Sequence, residues 1–226
     1  MQMKKMLSEK YDELKLGTRA CLAPIRNKTI TDTSFSIISN NCWGGLVYQR
    51  YGLPYSSPTV GLYFFADDYI RLLADLKGYM AIPITIIPVE ESNHRDLIIS
   101  RHQERFPIGR IGDVEIVFRH YLTPEEAIEK WERRKKRINY ENLIIKFSEM
   151  NQCSEDMLYS FSHMPYSTKF AFVSSNRLND NCFIYYKGFE KQRQVMDDTS
   201  HYCRYIDLNC LINNHEIVNS STPIWR

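Results

Sequence analysis

The period of hydrophobic and polar positions changes repeatedly along the chain, and each change marks an element. Met3, Leu7, Tyr11 and Leu14 fall at i, i+4, i+8 and i+11, with Lys4, Lys10, Glu13 and Lys15 between them. This spacing predicts an amphipathic helix over 2–17, stopped at Gly17 and docked on the rest of the fold. Residues 18–33 read as a connection, and Phe35 to Ser39 as a strand. Asn40-Asn41-Cys42-Trp43-Gly44-Gly45 breaks that strand with turn residues, and Leu46, Val47, Tyr48 and Tyr51 predict a short helix ending at Gly52. Leu53 to Val60, rich in Pro and Ser, reads as an ordered loop, and Gly61 to Phe65 as a short strand. Asp67 and Asp68 suit a helix N-terminus, with Tyr69, Leu72, Leu73, Leu76 and Tyr79 as its apolar face and Gly78 at its end. Pro83 and Pro88 make Ile82 to Val89 an edge strand, and Leu97 to Ser100 reads as another strand.

Gly112-Asp113 precedes a strand over Val114 to His120. Thr123-Pro124-Glu125-Glu126 opens a helix running to Arg137, with Thr as N-cap and Pro in the first turn. Leu143 to Phe147 is the next strand, Ser154 caps a helix through Phe161, and Phe170–Val173 and Phe183–Tyr186 are further strands. Strands alternating with helices predict a three-layer α/β fold, its sheet mainly parallel with helices on both faces. One domain over 1–226 is the simplest organisation: an N-terminal helix to 17, a core over 30–187, and a tail over 188–226 whose pattern is weak.

Composition narrows the function classes. Charged residues make up 25% and the net charge is +2, so no global field draws the chain to nucleic acid, and none is expected as a partner. The basic start lacks an apolar core and no run approaches the ~20 residues that span a bilayer, so a cytoplasmic location is expected. The six cysteines show neither C-x-x-C pairs nor zinc spacing, so reduced thiols and no metal or cofactor are expected.

Several strings carry a resemblance. Asn41-Cys42-Trp43-Gly44-Gly45, Tyr55-x-Ser57-Pro58-Thr59-Val60-Gly61-Leu62, Gly112-Asp113-x-Glu115-Ile116-x-Phe118-x-His120-Tyr121 and Trp131-Glu132-Arg133-Arg134-x-x-Arg137-Ile138-Asn139 are four of them. Over residues 30–175 the chain resembles a bacterial domain-of-unknown-function family numbered nineteen-nineteen, whose members are linked to exopolysaccharide biosynthesis. The resemblance implies a surface-glycan context and peripheral contact with membrane glycan-assembly machinery; it implies no mechanism. A weaker scheme (strand, Asn-Cys, helix, later a Phe-x-His strand and an Arg-rich helix) is similar to that of a family of papain-like cysteine peptidases.

The chemistry-bearing residues fall into four groups. Cys42 follows one predicted strand and His120 ends another; at the carboxyl edge of a parallel sheet they would face one crevice. There a thiol at a helix N-terminus could be activated by an imidazole, with Gly44-Gly45 N–H groups for the oxyanion and Glu149 or Asn176 as orienter. The bland alternative is a buried cysteine and a histidine bonded to a loop carbonyl. Asn40, Asn41, Gly44 and Gly45 form either an anion cradle or simply a tight turn. On the helix bearing Arg133 to Arg137, Arg134 lies at the core edge; Arg134, Arg137 and the following Asn139 are candidate phosphate ligands, against a solvated, ion-paired face. Trp43 and Tyr55, beside Ser57, could stack on sugar rings or pack over the core.

Three functions compete. The first is a transferase of surface-glycan assembly using an activated sugar or acyl donor, with a sugar-phosphate or nucleotide-sugar substrate between the Asn40–Gly45 turn and the Arg134–Asn139 helix end. The second is a cysteine hydrolase using Cys42 and His120. The third is a non-catalytic partner in the assembly complex.

Overall fold

The computed structural model describes residues 22–177 and 180–218. The helix expected over 2–17 lies outside them. Residues 22–27, read as connection, are helical. There follow β1 (Ser36–Ser39), α1 (Trp43–Tyr51), α2 (Ala66–Ala74), α3 (Leu76–Ala81), β2 (Thr85–Ile87), α4 (Arg95–Ser100), β3 (Ile108–Ile111) and β4 (Val114–Val117). After these come α5 (Pro124–Lys135), β5 (Leu143–Ser148), α6 (Glu155–Ser162), β6 (Lys169–Val173), β7 (Phe183–Tyr185) and α7 (Leu208–Asn214).

The expected α/β fold is present. Four strands form a parallel sheet in the order β1-β5-β6-β7. Because strand side chains alternate, this sheet carries a core on each face. Ile37, Ile144, Phe170 and Phe172 face Trp43, Val47 and Tyr48 of α1 and Leu208 and Leu211 of α7. Ile38, Ile145, Phe147 and Ala171 face Tyr69 and Leu72 of α2 and Leu158 and Phe161 of α6. The predicted caps hold: Thr123 accepts from the Glu126 N–H and Ser154 from the Met157 N–H.

The second sheet departs from expectation. β2, β3 and β4 are antiparallel, in that order. β3 was not foreseen, because Gly109 reads as a breaker. A Cβ there would lie 2.6 Å from both Ile84 and Phe118, so the glycine is demanded by packing across the sheet. β4 turns back from β3 at Gly112, whose φ of 58° suits glycine. The strand expected over 61–65 is only a bridge from Tyr63 to Val117. Leu97 to Ser100 is helical within α4, and its β-branched Ile98 is fully buried; burial overrides local propensity here.

Candidate functional site

The polar residues of the parallel sheet gather at its carboxyl edge, where such sheets place ligands. β5 is central, and alternation puts Lys146 and Ser148 on the face covered by α1, in line with the apolar Ile144. Both side chains are fully buried. The Lys146 ammonium pairs with the buried Asp198 carboxylate and donates to Ser148 Oγ at 2.6 Å and Asn41 Oδ1 at 3.1 Å. Trp43 and Phe172 present ring faces to it, with centroids at 5.8 and 5.5 Å. Asn41 also donates to Asp198 at 2.8 Å and accepts from the Trp43 N–H, so one side chain ties the ion pair to the start of α1. Burial lowers the Lys146 pKa and Asp198 raises it back in part.

Cys42 sits over this pair as the N-cap residue of α1, half-buried. Its Sγ donates to Leu62 O at 3.6 Å, and the Gly61 N–H faces it. Burial pushes the thiol pKa up to about 11. Arg119 lowers it, while Asp198 and Lys146 act in opposite directions, so the buried pair leaves desolvation dominant. Labelling of Cys42 by iodoacetamide, read by peptide mass mapping, is therefore expected to accelerate with pH up to about 11. Only the thiolate reacts. A plateau reached at neutral pH would instead reveal a thiolate–imidazolium pair.

The structure separates several residues that were expected to converge. His120 follows β4 of the antiparallel sheet, so it does not share a parallel-sheet edge with Cys42. The two still approach one segment: the His120 N–H donates to Gly61 O at 2.9 Å, beside the residues that hold the thiol. Burial, then Arg119, keep the His120 pKa below its usual value. Glu149 does not orient it: the buried carboxylate accepts from the Ser174 N–H and Oγ at 2.6 and 2.7 Å and pairs with Arg177. Asn176 is exposed after β6.

The anion cradle is closed by the chain itself. Asn41 takes the Trp43 N–H and Ser39 Oγ takes the Gly44 N–H. A Cβ on Gly44 would lie 2.9 Å from Ile37, and one on Gly45 2.9 Å from Val60, so these glycines permit close packing of α1. Asn40 pairs with the Ser148 backbone in both directions. Trp43 and Ser57 are fully buried, so neither offers a sugar-stacking or hydroxyl surface.

Arg134, of the arginine clamp, is buried against other loops, while Arg137 is exposed. Arg134 donates to Tyr121 Oη at 2.7 Å and lies over the Tyr55 ring at 4.8 Å; Arg137 donates to Tyr55 O at 3.3 Å. The Asn139 N–H bonds Ser36 Oγ at the start of β1, whereas Asn40 follows its end. Four residues of strand put about 13 Å between those ends, so Asn139 lies away from the turn, whereas Arg134 reaches toward it through Val60, whose carbonyl it bonds at 3.4 Å and whose side chain packs on Gly45.

Lys146 and Asp198 escaped the sequence reading. A charge in an otherwise apolar central strand was the available signal for Lys146; Asp198 lies in the weakly patterned tail. A second unforeseen network joins the two sheets. Asp68 of α2, fully buried, accepts from Arg71 at 2.5 Å and from the Glu115 N–H at 3.0 Å, and its other oxygen meets His94 Nε2 at 2.6 Å. His94 stacks on Phe65 with centroids 3.7 Å apart. Asp67, Asp68 and His94 bring ligand atoms within 4.8 Å of one another, but Arg71 already supplies a cation to both carboxylates.

Among the described residues, no helix is long and apolar enough to cross a membrane. An uncharacterized protein of Haemophilus influenzae is 31% identical over 170 residues, 75% of this chain and 76% of that one. The family model described as Domain of unknown function (DUF1919) matches residues 17–219, reaching through the tail that supplies Asp198. The chain belongs to this family.

Proposed function

We propose that the protein is a cytoplasmic, membrane-peripheral enzyme of bacterial surface-polysaccharide assembly, a transferase whose reacting group is the Cys42 thiol. The observation that carries this reading is the thiol of the half-buried Cys42 at the carboxyl edge of the parallel sheet, close to a fully buried Lys146–Asp198 pair. Buried ion pairs contribute little net stability and serve to fix geometry in some proteins. Here the pair fixes Asn41, and through it the start of α1 and Cys42.

A thiol favours the acyl branch of group transfer. The sulfur attacks the donor's carbonyl carbon, the donor's leaving group departs with the thiol proton, and a thioester forms. An acceptor hydroxyl then attacks that carbonyl, the sulfur leaves, and the hydroxyl proton returns to it. Because the resting thiol is protonated, a base must act in the substrate complex. His120, whose pKa is held below its usual value and whose backbone bonds Gly61 beside the thiol, is the candidate base. Water in place of the acceptor gives the hydrolase reading by the same first step.

Intact-protein mass spectrometry after incubation with acyl-coenzyme A donors tests this. The acyl mass is expected on the wild type and absent from Cys42→Ala, and added glycan hydroxyls should discharge it faster than water does. Discharge by water alone at full rate selects the hydrolase. No adduct with any donor overturns the catalytic reading and favours a non-catalytic partner.

A further inference from the structure

Beside Cys42 lies a cationic face that neither the sheet nor the thiol chemistry requires. Arg101, Arg105 and Arg119 are exposed, and none forms an ion pair within the described structure. Each lies over an aromatic ring, and Arg101 and Arg119 both act on the Tyr63 hydroxyl. Arg105 and Arg119 share the Phe106 ring, 4.9 and 5.9 Å from its centre, and Arg101 lies 5.5 Å from the centre of Phe65. Two guanidinium groups near one phenyl ring repel each other, and a bound anion would relieve that repulsion. Glu104, exposed among them in sequence, pairs with none of the three.

The face is tied to the thiol by short links. Arg101 donates to Asn151 Oδ1 at 2.9 Å, Asn151 Nδ2 donates to Phe64 O, and the Phe64 N–H donates to Asn40 O, two residues before Cys42. Arg119 precedes His120, which is bonded to Gly61. Its charge is felt at Cys42, His120 and Tyr63 alike. The backbone beneath Arg101 is also unusual: His102, Asn151 and Gln152 take left-handed φ values of 53°, 54° and 66°. Such conformations persist where surrounding contacts impose them, often at ligand sites.

We propose that Arg101, Arg105 and Arg119 bind the phosphate or diphosphate of the substrate that reacts at Cys42. Guanidinium forks match phosphate oxygens bidentately, and all three side chains are exposed. This site differs from the Arg134–Arg137 pair, of which Arg134 is buried against Tyr121 and Tyr55. It rests on the proposed transferase reading for its link to Cys42, but phosphate binding can be measured without turnover.

The test is calorimetric titration of the full chain with inorganic pyrophosphate and with uridine diphosphate, alongside co-sedimentation with phosphatidylcholine vesicles with and without phosphatidylglycerol. Arg101→Gln and Arg119→Gln are each expected to weaken pyrophosphate binding about tenfold, as loss of a charge-assisted bond implies. Arg133→Gln, on a side chain paired with Glu129 on α5, should change nothing. Unchanged unfolding midpoints for these exposed substitutions exclude misfolding as the cause. Binding to soluble phosphates assigns a soluble donor; binding only to phosphatidylglycerol vesicles, lost in the same variants, assigns a lipid phosphate. Binding to neither, or binding unaffected by both variants, overturns the proposal. Cys42→Ala should retain pyrophosphate binding. Binding without any thioester would defeat the transferase reading alone, and a thioester without phosphate binding would defeat this inference alone.

Discussion

Lys146→Met is expected to destabilise the protein by about 3–5 kcal/mol, because it leaves the Asp198 charge buried without its partner. Asp198 is fully buried, and its oxygens would keep only Asn41 and Ser148. Urea unfolding followed by tryptophan fluorescence reads the loss directly, since Trp43 lies against the ammonium. Adding Asp198→Leu should recover much of it, because replacing both members of a buried pair by apolar groups is often close to neutral. If the double variant is no more stable than Lys146→Met alone, the pair is not the source of the loss. The chemistry should respond separately. Lys146 favours the Cys42 thiolate and Asp198 opposes it, so the single variant should slow alkylation of Cys42 at a given pH.

The second large effect is expected at Asp68. Asp68→Ala removes the acceptor for Arg71, for His94 and for the Glu115 N–H together. The last two are buried, and their loss should lower stability by about 3 kcal/mol. Asp68 lies on α2, against the parallel sheet, while Glu115 and His94 belong with the antiparallel one. The loss should therefore appear as faster hydrogen exchange in β4 as well as a lower urea midpoint. Asp68→Asn, which keeps one acceptor oxygen, should retain part of the stability. A change under about 1 kcal/mol for the alanine variant would mean that water replaces the carboxylate and the network does not couple the sheets.

Much of the parallel half was legible because its signals are local. The Thr123 and Ser154 caps, the Asp67-Asp68 helix start and the apolar runs at Phe35–Ser39, Leu143–Phe147 and Phe170–Val173 each report on a few neighbouring residues. The strand–turn–helix around Cys42 was readable for the same reason. The antiparallel half was obscured where long-range packing overrode local preference. Gly109 is required by Ile84 and Phe118, which lie on the neighbouring strand's approach and on the far side of the hairpin, and Ile98 is helical despite its branched neighbours. Once β4 is paired with β3, His120 leaves the parallel-sheet edge on which its expected meeting with Cys42 depended.

By itself, the sequence determined the alternation that builds the parallel sheet, the position of Cys42 at its carboxyl edge, and the motifs that carry family membership. Those properties are encoded in periodicity and in short strings. Only the tertiary structure decided which polar groups have partners. Lys146 meets Asp198 across 52 residues, and Arg134 finds Tyr121 and Tyr55 on separate loops. Arg105 and Arg119 meet at Phe106, and Arg101 reaches Phe65 on another segment. A charge looks the same in sequence whether it will be neutralised inside the fold or left facing solvent. The difference depends on desolvation and on a partner brought from far along the chain, and both are set only when the layers pack.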